Sequence, residues 1–136
     1  MKFLVDPKLV VDALASESEE GRSALALFEA HREDDLVLAP TSYIALSPSF
    51  MGIRSMQDRF LDNLGIRVAR NAPAKVMDAA YQAWSRYQKD NPVMKGGMGV
   101  FDQLYIGAYA LLYDGIMTRD SALYRTYFDT LNVIEP

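Results

Sequence analysis

The sequence contains no cysteine and a single histidine, His31. The lack of cysteine excludes disulfides, zinc–thiolate sites, iron–sulfur clusters and thiol nucleophiles. One histidine cannot build a multi-histidine metal site, and a Ser-His-Asp triad would have to use it. Its position near a predicted helix end favours a structural role. Chemistry in this chain therefore depends on carboxylates, hydroxyls and backbone groups, which suit hard cations such as Mg²⁺ or Mn²⁺.

Long apolar runs are also missing. The longest uncharged apolar stretch, from Gln103 to Tyr113, is too short to span a bilayer. An acid at Asp6 interrupts the first apolar residues, so no signal-peptide core is expected. Together with the absence of cysteine, this predicts a cytoplasmic protein. The length of 136 residues predicts a single domain over 1–136.

Acidic residues outnumber basic ones, and the imbalance is uneven. Residues 1–40 carry nine acidic and four basic residues, whereas residues 41–136 carry nine acidic and ten basic ones. The net charge of −4 argues against nonspecific nucleic-acid binding by the whole surface. The basic residues that could form a local basic face are Arg54, Arg59, Arg67, Arg70, Lys75, Arg86 and Lys89. The charge counts favour ordinary solvated helix faces as their explanation, and the sequence does not place them together.

Short apolar strand candidates alternate with longer helical patterns. Strands are predicted over 3–5, 36–39, 66–68, 116–118 and 132–134. Helices are predicted from Pro7, then over 16–32, 41–46, 51–64, 71–90, 101–113 and 121–128. Ser16-Glu17-Ser18-Glu19 fits a capping box, and Thr41 and Ser42 are predicted to cap the third helix. The alternation predicts an α/β protein, a three-layer α/β/α sandwich with a parallel sheet of four to five strands.

Three aspartates are placed where such a sheet binds ligands, outside the carboxyl ends of its strands. Asp6 follows the first strand, Asp120 follows the strand 116–118, and Asp102 opens an otherwise apolar helix. Each alone also has an ordinary interpretation as a helix-terminal or turn residue. Together they would repel one another, which favours a divalent cation that activates water and stabilises a transferring phosphoryl group.

Three segments carry motifs in an order and spacing typical of one family. The helix Phe101-Asp102-Gln103-Leu104-Tyr105-Ile106-Gly107-Ala108-Tyr109-Ala110 is similar to a D-x-L-I-x-A-x-A motif. Thr118-Arg119-Asp120 with Leu123-Tyr124 is similar to T-R-D-x-x-[FY], and the opening Phe-Leu-Val-Asp6 with Leu9 is similar to D-x-N-x-[LI]. These motifs resemble those of PIN domains, most closely the VapC-type toxins of prokaryotic toxin–antitoxin systems. The resemblance covers essentially the whole chain.

This resemblance implies an activity, because PIN domains are Mg²⁺- or Mn²⁺-dependent ribonucleases whose acids hold the ions beside a parallel sheet. It implies that Asp6, Asp102 and Asp120 are catalytic and metal-holding residues. It further implies that Thr118 lines the site and that Arg119 either lines it or braces the fold. The expected partners are RNA, a small antitoxin protein and a second copy of the chain.

Two positions depart from the family pattern. Lys8 stands where the family usually has asparagine, and its ammonium could compensate charge or occupy part of the metal space. In Ser42-Tyr43-Ile44-Ala45-Leu46-Ser47, Ala45 stands at the place of a metal-site glutamate, and no acid lies between Asp35 and Asp58. This fits an inactive domain, an enzyme with three acids and one ion, or an engineered substitution. The hypotheses are a metal-dependent endoribonuclease impaired at Ala45 and a degenerate PIN-like domain that binds RNA or protein.

Two further features are weaker candidates for RNA contacts. The loop Lys95-Gly-Gly-Met-Gly99 lacks the residues of a Walker loop, so it is interpreted as a hinge near the cleft, with Lys95 available to a phosphate. Tyr81, Trp84 and Tyr87 could stack on bases. Their helical spacing favours a place in the core or in a dimer interface.

Overall fold

Five short strands form one parallel sheet in the computed structural model, which describes residues 1–92 and 97–136. The strands are β1 Lys2–Val5, β2 Asp35–Leu38, β3 Ile66–Val68, β4 Gly115–Met117 and β5 Val133–Ile134. Their order is β3-β2-β1-β4-β5, and every neighbouring pair runs parallel. The predicted parallel sheet is confirmed, and β1 occupies its centre.

Seven α-helices connect and flank these strands within the described residues. They are α1 Pro7–Leu14, α2 Glu19–Ala30, α3 Pro40–Ala45, α4 Arg54–Leu64, α5 Ala74–Asp90, α6 Gly97–Ala110 and α7 Ala122–Tyr127. A 3₁₀ turn, Ser47–Phe50, joins α3 to α4. None of the helices in the described ranges is both long enough and apolar enough to cross a bilayer.

Helices cover both faces of the sheet. Successive side chains of a strand point to opposite faces, so the apolar side chains of the strands need a layer of helices on each face. Phe3 and Val5 pack with residues of α1, α2 and α4 in one hydrophobic core. Leu4, between them in sequence, packs with residues of α5, α6 and α7 in a second core. These two cores confirm the three-layer α/β/α sandwich.

The aromatic stripe of α5 belongs mainly to the second core. Trp84 stacks on Tyr87, with ring centroids 5.8 Å apart and an interplanar angle of 12°. Trp84 also meets the ring of Phe101 edge-on at 5.4 Å. Tyr81, in contrast, is 74% exposed. The core interpretation therefore holds for Trp84 and Tyr87 but not for Tyr81.

Two predicted helix caps are wrong. The cap of α2 is Ser18 rather than Ser16, since the Ser18 Oγ accepts a hydrogen bond from the Gly21 N–H at 2.9 Å. Helix α3 begins at Pro40 after Ala39 and has no side-chain cap, so Thr41 and Ser42 lie inside the helix. Pro40 suits the first position because it has no N–H to satisfy and its φ is already helical.

Two helix starts also differ from the predicted ones. The helix predicted over 51–64 begins at Arg54, because Met51 and Gly52 adopt left-handed φ angles of 55° and 70°. Helix α6 begins at Gly97, so Asp102 lies in its second turn. The interpretation of Asp102 as an acid at a helix N-terminus is therefore wrong, and its position needs another explanation.

Candidate functional site

Asp6 lies at the carboxyl end of β1 and is nearly fully buried, with 2% of its surface exposed. Its Oδ1 accepts a hydrogen bond from the backbone N–H of Lys8 at 3.0 Å, which caps α1. Its Oδ2 accepts hydrogen bonds from the hydroxyls of Thr118 at 2.7 Å and Tyr124 at 3.2 Å. An ionised carboxylate can accept about four hydrogen bonds. These contacts therefore leave acceptor capacity on Oδ1, while Oδ2 is saturated.

The hydroxyls of Thr118 and Tyr124 hold the Asp6 carboxylate from the buried interior of the protein. Burial, and then the nearby Asp6 carboxylate, raises the pKa of Tyr124, so its phenol stays protonated and donates. Thr118 is fully buried and accepts a hydrogen bond from the Asp120 N–H at 3.0 Å. Thr118 thus couples the backbone of Asp120 to the carboxylate of Asp6. It supports the site from the interior rather than lining an open surface.

Asp120 is half exposed, and its carboxylate contacts two side chains. The Gln103 Nε2 donates a hydrogen bond to Asp120 Oδ2 at 3.0 Å. The Lys8 Nζ lies 3.4 Å from the same oxygen. Both partners of this ion pair are largely exposed, so the pair itself adds little stability. Of the two sequence interpretations of Lys8, this contact favours charge compensation.

A cleft of about 210 Å³ opens at the carboxyl ends of β1 and β2. It brings Asp6 and Asp102 together and has Lys8 and Ala45 on its walls. The other residues that line it are Pro7, Thr41, Ser42, Gly99, Gln103 and Ile106. Ala45 is exposed on this wall, so a longer acidic side chain at that position would enter the cleft. The position expected for a glutamate therefore belongs to the candidate site.

Ser42 adds a polar atom that the sequence reasoning did not single out. It is 2% exposed, and its Oγ is the one buried side-chain nitrogen or oxygen without a hydrogen-bond partner in the described part of the chain. Buried polar atoms are nearly always hydrogen-bonded in folded proteins. The role of Tyr124 as a donor to Asp6 was also missed. The motif accepts phenylalanine at that position, so it does not indicate that a hydroxyl is needed there.

The oxygen groups in the cleft suit a divalent cation that keeps part of its water shell better than a cation whose ligands all come from the protein. Asp6 and Asp102 supply carboxylates and Ser42 a hydroxyl, all hard oxygen groups of the kind that Mg²⁺ and Mn²⁺ prefer. No three acidic or histidine side chains of the described residues converge into a metal-holding group. Asp120 stands beside the cleft, in contact with Lys8 and Gln103. A cation in the cleft would therefore keep several of its waters.

Arg119 points away from the cleft and joins α1 to α2. Its Nε donates to Asp12 Oδ2 at 2.9 Å. Its guanidinium also donates to the backbone carbonyl of Glu20 at 2.9 Å and to Ser23 Oγ at 3.3 Å. Of the two sequence interpretations, these contacts support the brace. Lys95 lies outside the described residues.

A larger cavity, of about 570 Å³, lies beside Pro40 and Tyr43, on the other side of α3. Arg54, Arg67 and Arg70 line it, so the fold gathers part of the basic set at this edge of the sheet. Arg67 is engaged in two hydrogen bonds of 2.8 Å with Asp35, and Arg54 donates to the Tyr43 hydroxyl at 3.0 Å. The acids Asp58 and Asp62 lie in the same cavity, which moderates its positive charge.

Comparison with known proteins defines the class of the fold. No model of a protein family matches the sequence, and no curated protein matches it. A chain of VapBC2 from Rickettsia felis, solved bound to a DNA fragment from the promoter, matches with a TM-score of 0.70 and 11% identity over 99% of this chain and 98% of that one. A chain of VapBC-1 from nontypeable Haemophilus influenzae matches with a TM-score of 0.68 and 16% identity over the same shares. The parallel sheet and its flanking helices match the PIN-like fold of VapC, and the predicted fold is confirmed.

Proposed function

We propose that this chain is a metal-dependent endoribonuclease of the PIN/VapC-like toxin type, which hydrolyses RNA phosphodiester bonds. One observation carries the proposal: Asp6 and Asp102 share a cleft at the carboxyl edge of a PIN-like sheet. Open parallel α/β sheets bind ligands at this edge. The cleft also contains the position, Ala45, at which the family resemblance expects a further acid.

The residues of the cleft have separate tasks in this proposal. Asp6 and Asp102 would hold Mg²⁺ or Mn²⁺, with Asp120 as the third acid beside them. When bound, such an ion supplies an activated water and neutralises charge on the phosphodiester. Thr118 and Tyr124 keep Asp6 in one orientation, since both donate to its Oδ2. The Lys8 ammonium attracts the RNA phosphate to the mouth of the cleft.

Ala45 lowers the affinity that we expect the site to have for a divalent cation. Replacing a carboxylate by a methyl group removes one negative charge from the cation site, and Lys8 adds a positive charge nearby. Both changes weaken the attraction for a divalent ion. We therefore expect slow cleavage that requires more Mn²⁺ than a site with a glutamate at this position.

Three partners belong to the same proposal. The arginines around the larger cavity would contact phosphates of an RNA strand that runs over α3 from the cleft. A small antitoxin protein is proposed because chains of the same fold were solved as VapBC. A second copy of the chain follows from the family resemblance.

A second candidate function is a catalytically degenerate PIN-like domain that binds RNA or protein. Two observations favour it. Ala45 removes a carboxylate from the cleft wall, and the Lys8 ammonium lies 3.4 Å from the carboxylate of Asp120. In this alternative, the Lys8 ammonium balances part of the negative charge of the aspartates that a metal cation would otherwise balance.

Cleavage of a labelled single-stranded RNA with and without Mn²⁺ tests the proposal. We expect slow Mn²⁺-dependent cleavage by the unchanged chain and faster cleavage by Ala45→Glu. Asp102→Asn should lower the rate by more than about 100-fold. Mutating a residue that only supports a metal ligand costs up to about 100-fold in affinity or activity, and removing a ligand itself should cost more. Asp78→Asn is the matched control, since Asp78 is an exposed acid on α5 and does not line the cleft.

The remaining outcomes separate the candidates. Cleavage by Ala45→Glu alone would assign the unchanged chain to the degenerate class. Cleavage that Asp102→Asn leaves intact would contradict the assignment of the cleft. No cleavage by either the unchanged chain or Ala45→Glu, with both shown to be folded by circular dichroism, would contradict the nuclease function.

A further inference from the structure

Ser42 is held in an arrangement that leaves its hydroxyl without a partner among residues 1–92 and 97–136. A helical serine usually donates to a backbone carbonyl three or four residues earlier. Here the Leu38 carbonyl accepts the Ala69 N–H at 2.9 Å, and the Ala39 carbonyl accepts the Tyr43 N–H at 3.1 Å. Each nearby carbonyl therefore already accepts one hydrogen bond, and neither accepts one from Ser42. The Oγ of Ser42 is buried and has no hydrogen-bond partner among the described residues.

Ser42 lines the same cleft as the two aspartates. Ser42 and Ala45 are three residues apart on α3, so they share one side of this helix. Both line the cleft with Asp6 and Asp102. Ala45 offers only a methyl group, so the polar atoms on this wall come from hydroxyls. Thr41 also lines the cleft, but it is exposed rather than buried.

We propose that the Ser42 hydroxyl is the third oxygen group of the cation site, with the carboxylates of Asp6 and Asp102. This inference rests on the proposed function and concerns the same cleft. A serine hydroxyl is a hard oxygen donor, as Mg²⁺ and Mn²⁺ prefer, but it brings no charge. The site then has two carboxylates and one neutral donor on the wall where the family resemblance expects a third carboxylate.

This role predicts opposite effects on the metal-free and the metal-bound protein. Without metal, Ser42→Ala removes a buried polar atom that has no partner, so the metal-free protein should be at least as stable. With Mn²⁺, the variant lacks an oxygen group, so it should gain less stability from the ion. A serine with a purely structural hydrogen bond would show the reverse, with a less stable metal-free protein and unchanged binding.

Mn²⁺ titration calorimetry and thermal unfolding with and without Mn²⁺, on the full chain, test this inference. We expect Ser42→Ala to raise the Mn²⁺ dissociation constant about ten-fold. Its unfolding temperature without metal should be equal or higher, and the shift produced by Mn²⁺ should be smaller. Ser55→Ala is the matched control, because Ser55 is an exposed serine on α4 outside the cleft. It should bind Mn²⁺ as the unchanged chain does.

Asp102→Asn and Ala45→Glu distinguish the failure of this inference from the failure of the proposed function. If Asp102→Asn loses Mn²⁺ binding and Ser42→Ala keeps it, the role of Ser42 is overturned and the cation site stands. If the unchanged chain binds no Mn²⁺, or Asp102→Asn binds it equally well, both fail. In the Ala45→Glu background the effect of Ser42→Ala should shrink, because the carboxylate supplies an oxygen on the same wall. An undiminished effect would contradict a shared site.

Discussion

Lys8 brings a positive charge to the group of aspartates at the carboxyl edge of the sheet. Its ammonium lies 3.4 Å from Asp120, while its own backbone N–H donates to Asp6. The side chains of Lys8 and Asp120 are 60% and 50% exposed, so water screens their attraction and the pair contributes little to folding. Lys8 acts instead by changing the local electrostatic potential at the place where a cation or a phosphate would bind.

Replacing the lysine therefore tests its electrostatic role. We expect Lys8→Met to tighten Mn²⁺ binding about five-fold, since removing one positive charge within several ångströms of a cation changes the interaction by about 1 kcal/mol in water. Calorimetric titration at low ionic strength measures the change, and added salt should reduce it. Lys75→Met, at an exposed lysine of α5, is the control and should leave the affinity unchanged. Weaker binding by Lys8→Met would show that the ammonium does not oppose the cation.

Residues that bear a charge at a strand end were predictable from the sequence, whereas those that act through neutral hydroxyls were not. Asp6 and Asp102 share the cleft because both positions lie at one edge of a parallel sheet. Ser42 has no partner among the described residues, and the Leu38 carbonyl accepts from Ala69 instead, a long-range contact that no local pattern contains. Asp120 follows its strand as predicted, but its contacts with Lys8 and Gln103 required the three-dimensional fold.

At the scale of elements, the packing of α1 against α2 depends on one glycine. Ser18 caps α2 and also donates to the Ala15 carbonyl at 2.7 Å, which folds the start of α2 onto the end of α1. A Cβ atom at Gly21 would lie 1.9 Å from the Ala15 carbonyl oxygen and 2.7 Å from that of Asp12. These neighbours are backbone atoms, so the two helices would have to move apart.

Gly21→Ala should therefore destabilise the protein despite the higher helix propensity of alanine. We expect the free energy of unfolding to fall by about 1–3 kcal/mol, the typical effect of overpacking. Gly99→Ala provides the contrast, because a Cβ built there has no atom of the described residues within 4 Å beyond its chain neighbours and its own helix backbone. That substitution should raise stability by about 0.5–1 kcal/mol. Urea unfolding measures both, and an unchanged midpoint for Gly21→Ala would contradict the close approach of α1 and α2.

Element types were more predictable than element boundaries. The alternation of short apolar runs and helical patterns gives the five strands at their places along the chain, because burial on both faces leaves a strong pattern in each strand. The starts of α4 and α6 were missed for different reasons. At α4, Met51 and Gly52 both adopt left-handed φ angles, and the methionine carries no sequence signal for that conformation. At α6, glycines within a helix gave the appearance of a loop.

For the whole molecule, the ion pair between Asp35 and Arg67 joins neighbouring strands and makes stability depend on pH. Arg67 hydrogen-bonds to Asp35 and holds the pKa of that carboxyl below its ordinary value of 3.8. A carboxyl with a lowered pKa in the folded state stabilises the fold above its unfolded pKa. This contribution is lost as the pH falls from about 4 through the folded pKa. Asp35 is at the start of β2, at the opposite end of that strand from the cleft.

Acid unfolding of Asp35→Asn checks this dependence. The variant should lose less stability than the unchanged chain as the pH falls below about 4, because it has no such carboxyl to protonate. Near neutral pH it should be the less stable protein, since it lacks the ion pair. Asp78→Asn should follow the unchanged chain at all pH values, because Asp78 makes no contact of this kind. Parallel acid curves for the unchanged chain and Asp35→Asn would contradict the prediction.

The partners of Asp6 also bear on when the site is completed during synthesis. Its hydroxyl donors, Thr118 and Tyr124, are 112 and 118 residues away along the chain. Chains emerge from the ribosome with their N-terminal residues first. The groups that hold the first aspartate of the cleft are therefore synthesised 112 and 118 residues after it. A chain with the proposed nuclease function would have no assembled site until those groups are made, so over that stretch of translation it could not act on the messenger beside it.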